Sequence, residues 1–180
     1  MKQFTPDYTN IVKAARNIEA PRLPLYEHLI CGEAMEAVLG HRFVELQGGD
    51  DADLEEFFRN YCAFFKEMGY DTVSFEGCIG GALPEGGCLG GHRDPVISTY
   101  EEFEKYPWDE VEENYFRIFG RQFEALRRAL PEGMKGIGGV GNGVFELVQD
   151  VTGYMNLCYI SADDPELYRD LFVKVGDIQL

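Results

Sequence analysis

The sequence predicts an α/β protein in which parallel strands alternate with outer helices, the opening part of a barrel rather than a closed sheet. Three observations predict it. Strand-like runs at 22–28, 71–76 and 134–140 are each followed by segments with apolar residues at helical spacing. That alternation is the pattern of a parallel sheet covered by helices. Three strands are too few to close a barrel, which needs about eight, and the last helical pattern is still periodic at Leu180.

Taken in order, Thr5-Pro6-Asp7 opens a first short helix: Thr5 caps it, Pro6 takes the first helical position and Asp7 meets the dipole, with Tyr8, Ile11, Val12 and Ala15 on one face. Arg22 to His28 is short, apolar at its start and polar at its end, as a first buried strand would be. Gly32 to Leu39 reads as a short helix stopped by Gly40. A longer helix begins at Asp51 or Asp53 and runs to Met68, with Leu54, Phe57, Phe58, Tyr61, Phe65 and Met68 as its apolar stripe and Gly69 as its stop. These aromatics read as core.

Asp71 to Glu76 is the second strand, and the loop Gly77 to Gly91 behind it is mostly small residues. A helix from about Asp109 to Leu130 buries Val111, Tyr115, Ile118, Phe119, Phe123, Leu126 and Leu130, and Pro131-Glu132-Gly133 ends it. Met134 to Val140 is the third strand, followed by Gly141-Asn142-Gly143 and a helical stretch from Val144 to Asp150. Asp163 or Asp164, with Pro165 next, starts a last helix bearing Leu167, Leu171, Phe172, Val175 and Ile178. No repeat or low-complexity linker interrupts the chain, and residues 1–180 read as part of one domain.

The bulk numbers narrow the partners. With 16 basic and 32 acidic residues the formal net charge is -16, which repels nucleic acid phosphates and anionic lipid. No stretch approaches the ~18 continuous apolar residues of a membrane span. Met1 to Asn10 is polar, unlike a secretory signal. Cys31, Cys62, Cys78, Cys88 and Cys158 are an odd, scattered set that suits a reducing compartment. The expectation is a cytoplasmic protein that contacts neither nucleic acid nor membrane.

In parallel α/β folds chemistry sits beyond the carboxyl ends of the strands. That rule selects Glu27 and His28, then Glu76 with Cys78 and the loop to His92, then Gly138 to Gly143. His28 has the chemistry of a general base or a metal ligand, and also of a histidine simply hydrogen-bonded in the mouth. Glu76 is suited to accept a proton or a ligand's donor; a structural hydrogen bond is the other reading. Glu27 alternates with His28 along the strand and points away from it. His28 and Glu76 are the catalytic candidates; Gly138, Asn142 and Gly143 are the substrate-binding candidates.

Two literal motifs fail on context. Cys78, Cys88 and His92 have zinc-ligand chemistry but lack the tight C-x2-C pair, so no metal is assigned to this chain. Gly136-Ile137-Gly138-Gly139-Val140-Gly141 matches G-x-G-x-x-G, but no complete strand precedes the first glycine, as a dinucleotide fingerprint needs. These glycines read instead as places where the strand backbone passes close to a ligand or another strand.

Four segments together resemble the uroporphyrinogen decarboxylase superfamily: "RLPLYEHLICGEAMEAVLG", "DLEEFFRNYCAFFKEMGYDTVSFEG", "YEEFEKYPWDE" and "LPEGMKGIGGVGNGVFELVQDVTGY". The resemblance spans residues 5–180 and is a pattern over many segments, not one diagnostic motif. It implies a (β/α)8 TIM barrel roughly twice this length, of which this chain would supply about three parallel strands with outer helices. The carboxyl half, or a homo-oligomer, would then be needed for activity, and this chain alone would be inactive.

The superfamily holds two activities. Its decarboxylases act on a polycarboxylate tetrapyrrole and carry an R-Q-A-G-R-Y pattern after strand one; Leu29 and Glu33 stand at those arginine positions here. Their F-S-D aspartate falls on Gly77, and a tyrosine after strand three falls on Gln149. Without the arginine pair a polycarboxylate would meet repulsion. The other branch, the corrinoid-dependent methyltransferases, takes methyl from a corrinoid protein on a zinc-activated thiolate, with zinc ligands in the carboxyl half. The resemblance therefore implies a methyltransferase-type enzyme half, with zinc and a corrinoid protein serving the complete enzyme. Its alternatives are a divergent tetrapyrrole decarboxylase and a non-catalytic half-barrel that binds another chain.

Overall fold

The computed structural model describes residues 4–91 and 93–180. The chain is mixed α/β and mostly helical, with one two-stranded parallel sheet. Its elements are α1 (Thr9–Ala15), α2 (Gly32–Leu39), α3 (Asp51–Glu67), β1 (Thr72–Glu76), α4 (Tyr100–Lys105), α5 (Glu110–Ala129), β2 (Lys135–Gly139), α6 (Val144–Thr152), α7 (Tyr154–Asp163) and α8 (Pro165–Gln179). Single 3-10 turns lie at Val44–Gly48 and Ile79–Ala82. No helix among the described residues is long and apolar enough to cross a membrane.

The chain divides into two compact units, Met1–Glu76 with Gly120–Gly138, and Gly77–Phe119 with Gly139–Leu180. In the first, α3 does most of the packing. Asp50 caps it, accepting from the N–H groups of Ala52 and Asp53, while Asp53 accepts from the Asp50 N–H in return. The stripe then buries Leu54, Phe57, Phe58, Tyr61 and Phe65. Phe58 and Tyr61 pack edge-on to Phe75 of β1, and the Tyr61 hydroxyl donates to the Ser74 carbonyl at 2.8 Å. Ala125, Leu126 and Met134 close the same core. Met68, expected on this stripe, lies past the last turn and is exposed.

The second unit has its own core of Ile97, Val111, Leu147, Val148, Val151, Leu167 and Leu171 with their neighbours. Asp164 caps α8 through the Leu167 N–H and Pro165 occupies its first turn. Two helices were not legible beforehand. In α4 a Thr99–Glu102 capping box starts a helix of 6 residues, and α7 has only a weak apolar stripe, with Leu157 and Ile160 buried.

Three expectations need correction. Residues 22–28 are not a buried strand: Leu23 is 85% exposed and Tyr26 52%, and no backbone hydrogen bond joins the segment to β1 among the described residues. Pro21 and Pro24 carry no N–H to enter a ladder. The first helix starts at Thr9, not Pro6; Asp7 accepts from the Thr9 N–H at 3.0 Å, and the side chain that turns inward is the polar Asn10, while Tyr8 and Ala15 are exposed. Gly136 and Gly138 are not close approaches either. A Cβ at Gly136 or Gly138 would meet its nearest neighbours at 3.7 Å, an ordinary contact.

Candidate functional site

The segment 22–28 lies along β1 all the same. Arg22 pairs with Asp71, just before β1, and His28 Nδ1 lies 3.2 Å from Oε1 of Glu76, its last residue. The two stretches therefore run in the same direction, and the two catalytic candidates meet at their carboxyl ends. Glu27, on the neighbouring position, is exposed.

Beside this pair opens a cavity of about 190 Å³. Its walls are built by aromatic packing: Phe43, Phe57, Tyr61 and Phe75 face it together with Met35 and Ile30. Helix α2 brings Met35 to it, and Gly32 at the start of α2 touches it as well. Glu36 on the same helix fixes the Phe43–Val44 turn by accepting both backbone N–H groups at 2.7 and 2.8 Å. The polar side chains on the cavity are His28, Glu76, Gln47 and Tyr61. Gln47 donates to Gln122 at 3.0 Å and Tyr61 to Ser74, so each already has a hydrogen bond. Among the described residues His28 Nε2 makes no hydrogen bond, and the His28 side chain is 65% exposed.

The substrate-binding candidates fall in different surroundings. Gly138 belongs to the first unit, beside Phe123 and the Phe75 carbonyl. Asn142 and Gly143 belong to the second. There the Asn142 carbonyl accepts from Gln179 at 2.8 Å, and the Gly143 N–H donates to Glu146 at 2.6 Å as α6 begins. Asn142 has φ 31°, after Gly141 at φ 60°. The close approach expected of glycine is found at Gly141, where a Cβ would lie 2.5 Å from Cys78 Sγ and 2.9 Å from its Cα.

The small-residue loop after β1 spends several of its donors on the chain at the end of β2 and on α6. The N–H groups of Gly77 and Ile79 go to the Gly139 and Val140 carbonyls, those of Gly87 and Cys88 to the Asp150 carbonyl, and that of Leu89 to the Asp150 carboxylate at 3.0 Å. Asp150 is thus a buried organiser of this loop that residue-by-residue reading missed; its place on the inner face of α6 was the signal. Cys88 is buried, its thiol donating to the Arg93 carbonyl at 3.3 Å. Burial raises that thiol's pKa, and the charges of Asp150 and Asp94 raise it further. His92 lies outside the described residues. Among the described residues no three His, Cys, Asp or Glu side chains gather as a metal site.

Fold and site define a mixed α/β protein with a histidine–glutamate pair at the carboxyl end of a strand, over a small aromatic cavity. Comparison with protein-family models, with curated proteins and with solved structures finds no match to this chain.

Proposed function

We propose that this chain is the amino-terminal part of a uroporphyrinogen decarboxylase-like (β/α)8 barrel enzyme of the corrinoid- and zinc-dependent methyltransferase type. His28 and Glu76 move a proton at the mouth of that barrel. The observation that carries the reading is the 3.2 Å contact between them at the carboxyl ends of two stretches running the same way, where barrels of this class keep their chemistry. In this reading β1 and β2 are two of its strands, residues 22–28 run beside β1 without a ladder, α3 and α5 are outer helices, and further polypeptide would supply the rest.

The side chains on the cavity favour methyl transfer over tetrapyrrole decarboxylation. No Lys or Arg side chain lines it, and Glu76 faces His28. A polycarboxylate would find no guanidinium there to pair with. In the complete enzyme a corrinoid would supply the methyl group and zinc would stabilise the accepting thiolate. The described residues do not offer a zinc site, so no step of theirs runs through the metal. Their part is acid–base: Glu76 stands at the Nδ1 side of His28, and Nε2 takes the proton that the thiol gives up.

The test uses the protein with whatever polypeptide its reading frame adds after Leu180. That addition is expected to carry an H-x-C pattern and a later cysteine. The protein is expected to transfer methyl from methylcobalamin to a thiol in the presence of zinc, followed by the cobalamin absorbance, and His28→Ala to slow it about 10²- to 10⁴-fold. Decarboxylation of uroporphyrinogen without methyl transfer would overturn the reading.

A further inference from the structure

We infer that the cavity beside His28 binds a single-ring hydroxy compound of phenol size, its ring among the aromatic side chains and its hydroxyl donating to His28 Nε2. This rests on the proposed role of the His28–Glu76 pair and names the class of small molecule that the pair would serve. Size comes first. A dry apolar cavity of about 150 Å³ accepts benzene, and this one is about 190 Å³, enough for one ring and a polar atom and far too small for a tetrapyrrole.

Shape and chemistry come next. Phe43 and Phe57 sit with ring centroids 5.6 Å apart and tilted, as do Phe57 and Tyr61 at 5.6 Å. A flat guest ring can continue such a tilted array. Of the other polar side chains on the cavity, Gln47 already donates to Gln122 at 3.0 Å. The Tyr61 hydroxyl is turned to Ser74, leaving His28 and Glu76 at the end of β1 to receive a hydroxyl. With Glu76 against Nδ1, the neutral imidazole that carries its proton there presents Nε2 as an acceptor.

The experiment is an NMR titration of the 180-residue chain with phenol and with toluene, following backbone amides and the His28 ring. Phenol is expected to saturate shifts at Ile30, Phe43, Phe57 and Phe75 and to move His28 Nε2. His28→Ala should weaken phenol about tenfold, the scale of one good hydrogen bond, and leave toluene unchanged. Ile30→Trp, which fills the cavity, should abolish both. No saturable shift with phenol, or equal loss of phenol and toluene in His28→Ala, overturns the inference. The outcome is independent of methyl transfer: phenol binding with no transfer removes only the reaction class, and transfer without phenol binding removes only the ligand.

Discussion

Asp71, only 1% exposed, holds the Arg22 guanidinium at the foot of β1, with Nε at 3.3 Å from Oδ2. The same carboxylate accepts the Asp7 N–H at 2.7 Å and the Asn10 amide at 3.1 Å. One buried side chain therefore ties the amino-terminal segment, residue 22 and β1 together. Arg22→Ala is expected to cost about 1–3 kcal/mol in urea unfolding, because Arg22 is half exposed and water replaces part of it. Asp71→Ala strands several donors at once and should cost about 3–5 kcal/mol.

The aromatic core should be unforgiving. Phe58 is fully buried and touches Phe57, Tyr61 and Phe75. Phe58→Ala leaves a cavity and should cost about 3–5 kcal/mol by urea unfolding. Hydrogen exchange should show the loss of protection first in α3 and β1.

Two glycines of the same strand and loop should respond in opposite ways. Gly141→Ala forces a Cβ against Cys78 at φ 60° and should cost at least about 2 kcal/mol. Gly136→Ala has room, and should change the unfolding free energy in urea by no more than about a few tenths of a kcal/mol. Equal effects would contradict the close approach of Gly141 to Cys78.

Stability should fall at both ends of the pH scale, for nameable groups. The backbone N–H groups of Val44 and Phe43 hold the Glu36 carboxyl below its ordinary value of 4.5. A carboxyl whose folded pKa is the lower one stabilises the fold above 4.5, and that contribution disappears as pH falls through the depressed value. Burial lifts the Tyr61 phenol to about 12, and its hydrogen bond to Asp170 lifts Tyr100 to about 12. Phenols raised in the folded state stabilise it below pH 10 and cease to do so as pH rises through 12. Absorbance at ~295 nm should show these phenolates appearing together with unfolding. Glu36→Gln should flatten the acid limb alone.

The pair at the end of β1 should show a graded dependence. Glu76→Gln keeps the size of the side chain but loses the charge beside His28 Nδ1, and in the methyl-transfer assay it should cost roughly 10- to 100-fold, less than His28→Ala. Equal rates in wild type and Glu76→Gln would separate the 3.2 Å contact from function.

Much of the fold was legible because local signals agreed with each other. The stripe of α3, its acidic cap and Gly69 behind it leave one solution, and the observed helix follows it from Asp51 to Glu67. The strand-end rule selected His28 and Glu76, which lie 3.2 Å apart, and also Asn142 and Gly143, which lead into α6 in the second unit. Nothing local marked the Asp71 and Asp150 networks, since each joins residues far apart in the chain.

By itself the sequence determined the mixed α/β class, the buried helix stripes and the acidic surface, because these follow from the spacing of apolar side chains and from charge. Only the tertiary structure decided that residues 22–28 run beside β1 without a ladder, that Asn10 rather than Tyr8 turns inward, and that an aromatic cavity opens next to His28. Those outcomes depend on which distant backbone donors and ring faces come together, and on the desolvation of groups such as Asp71, none of which is encoded in any one stretch of chain.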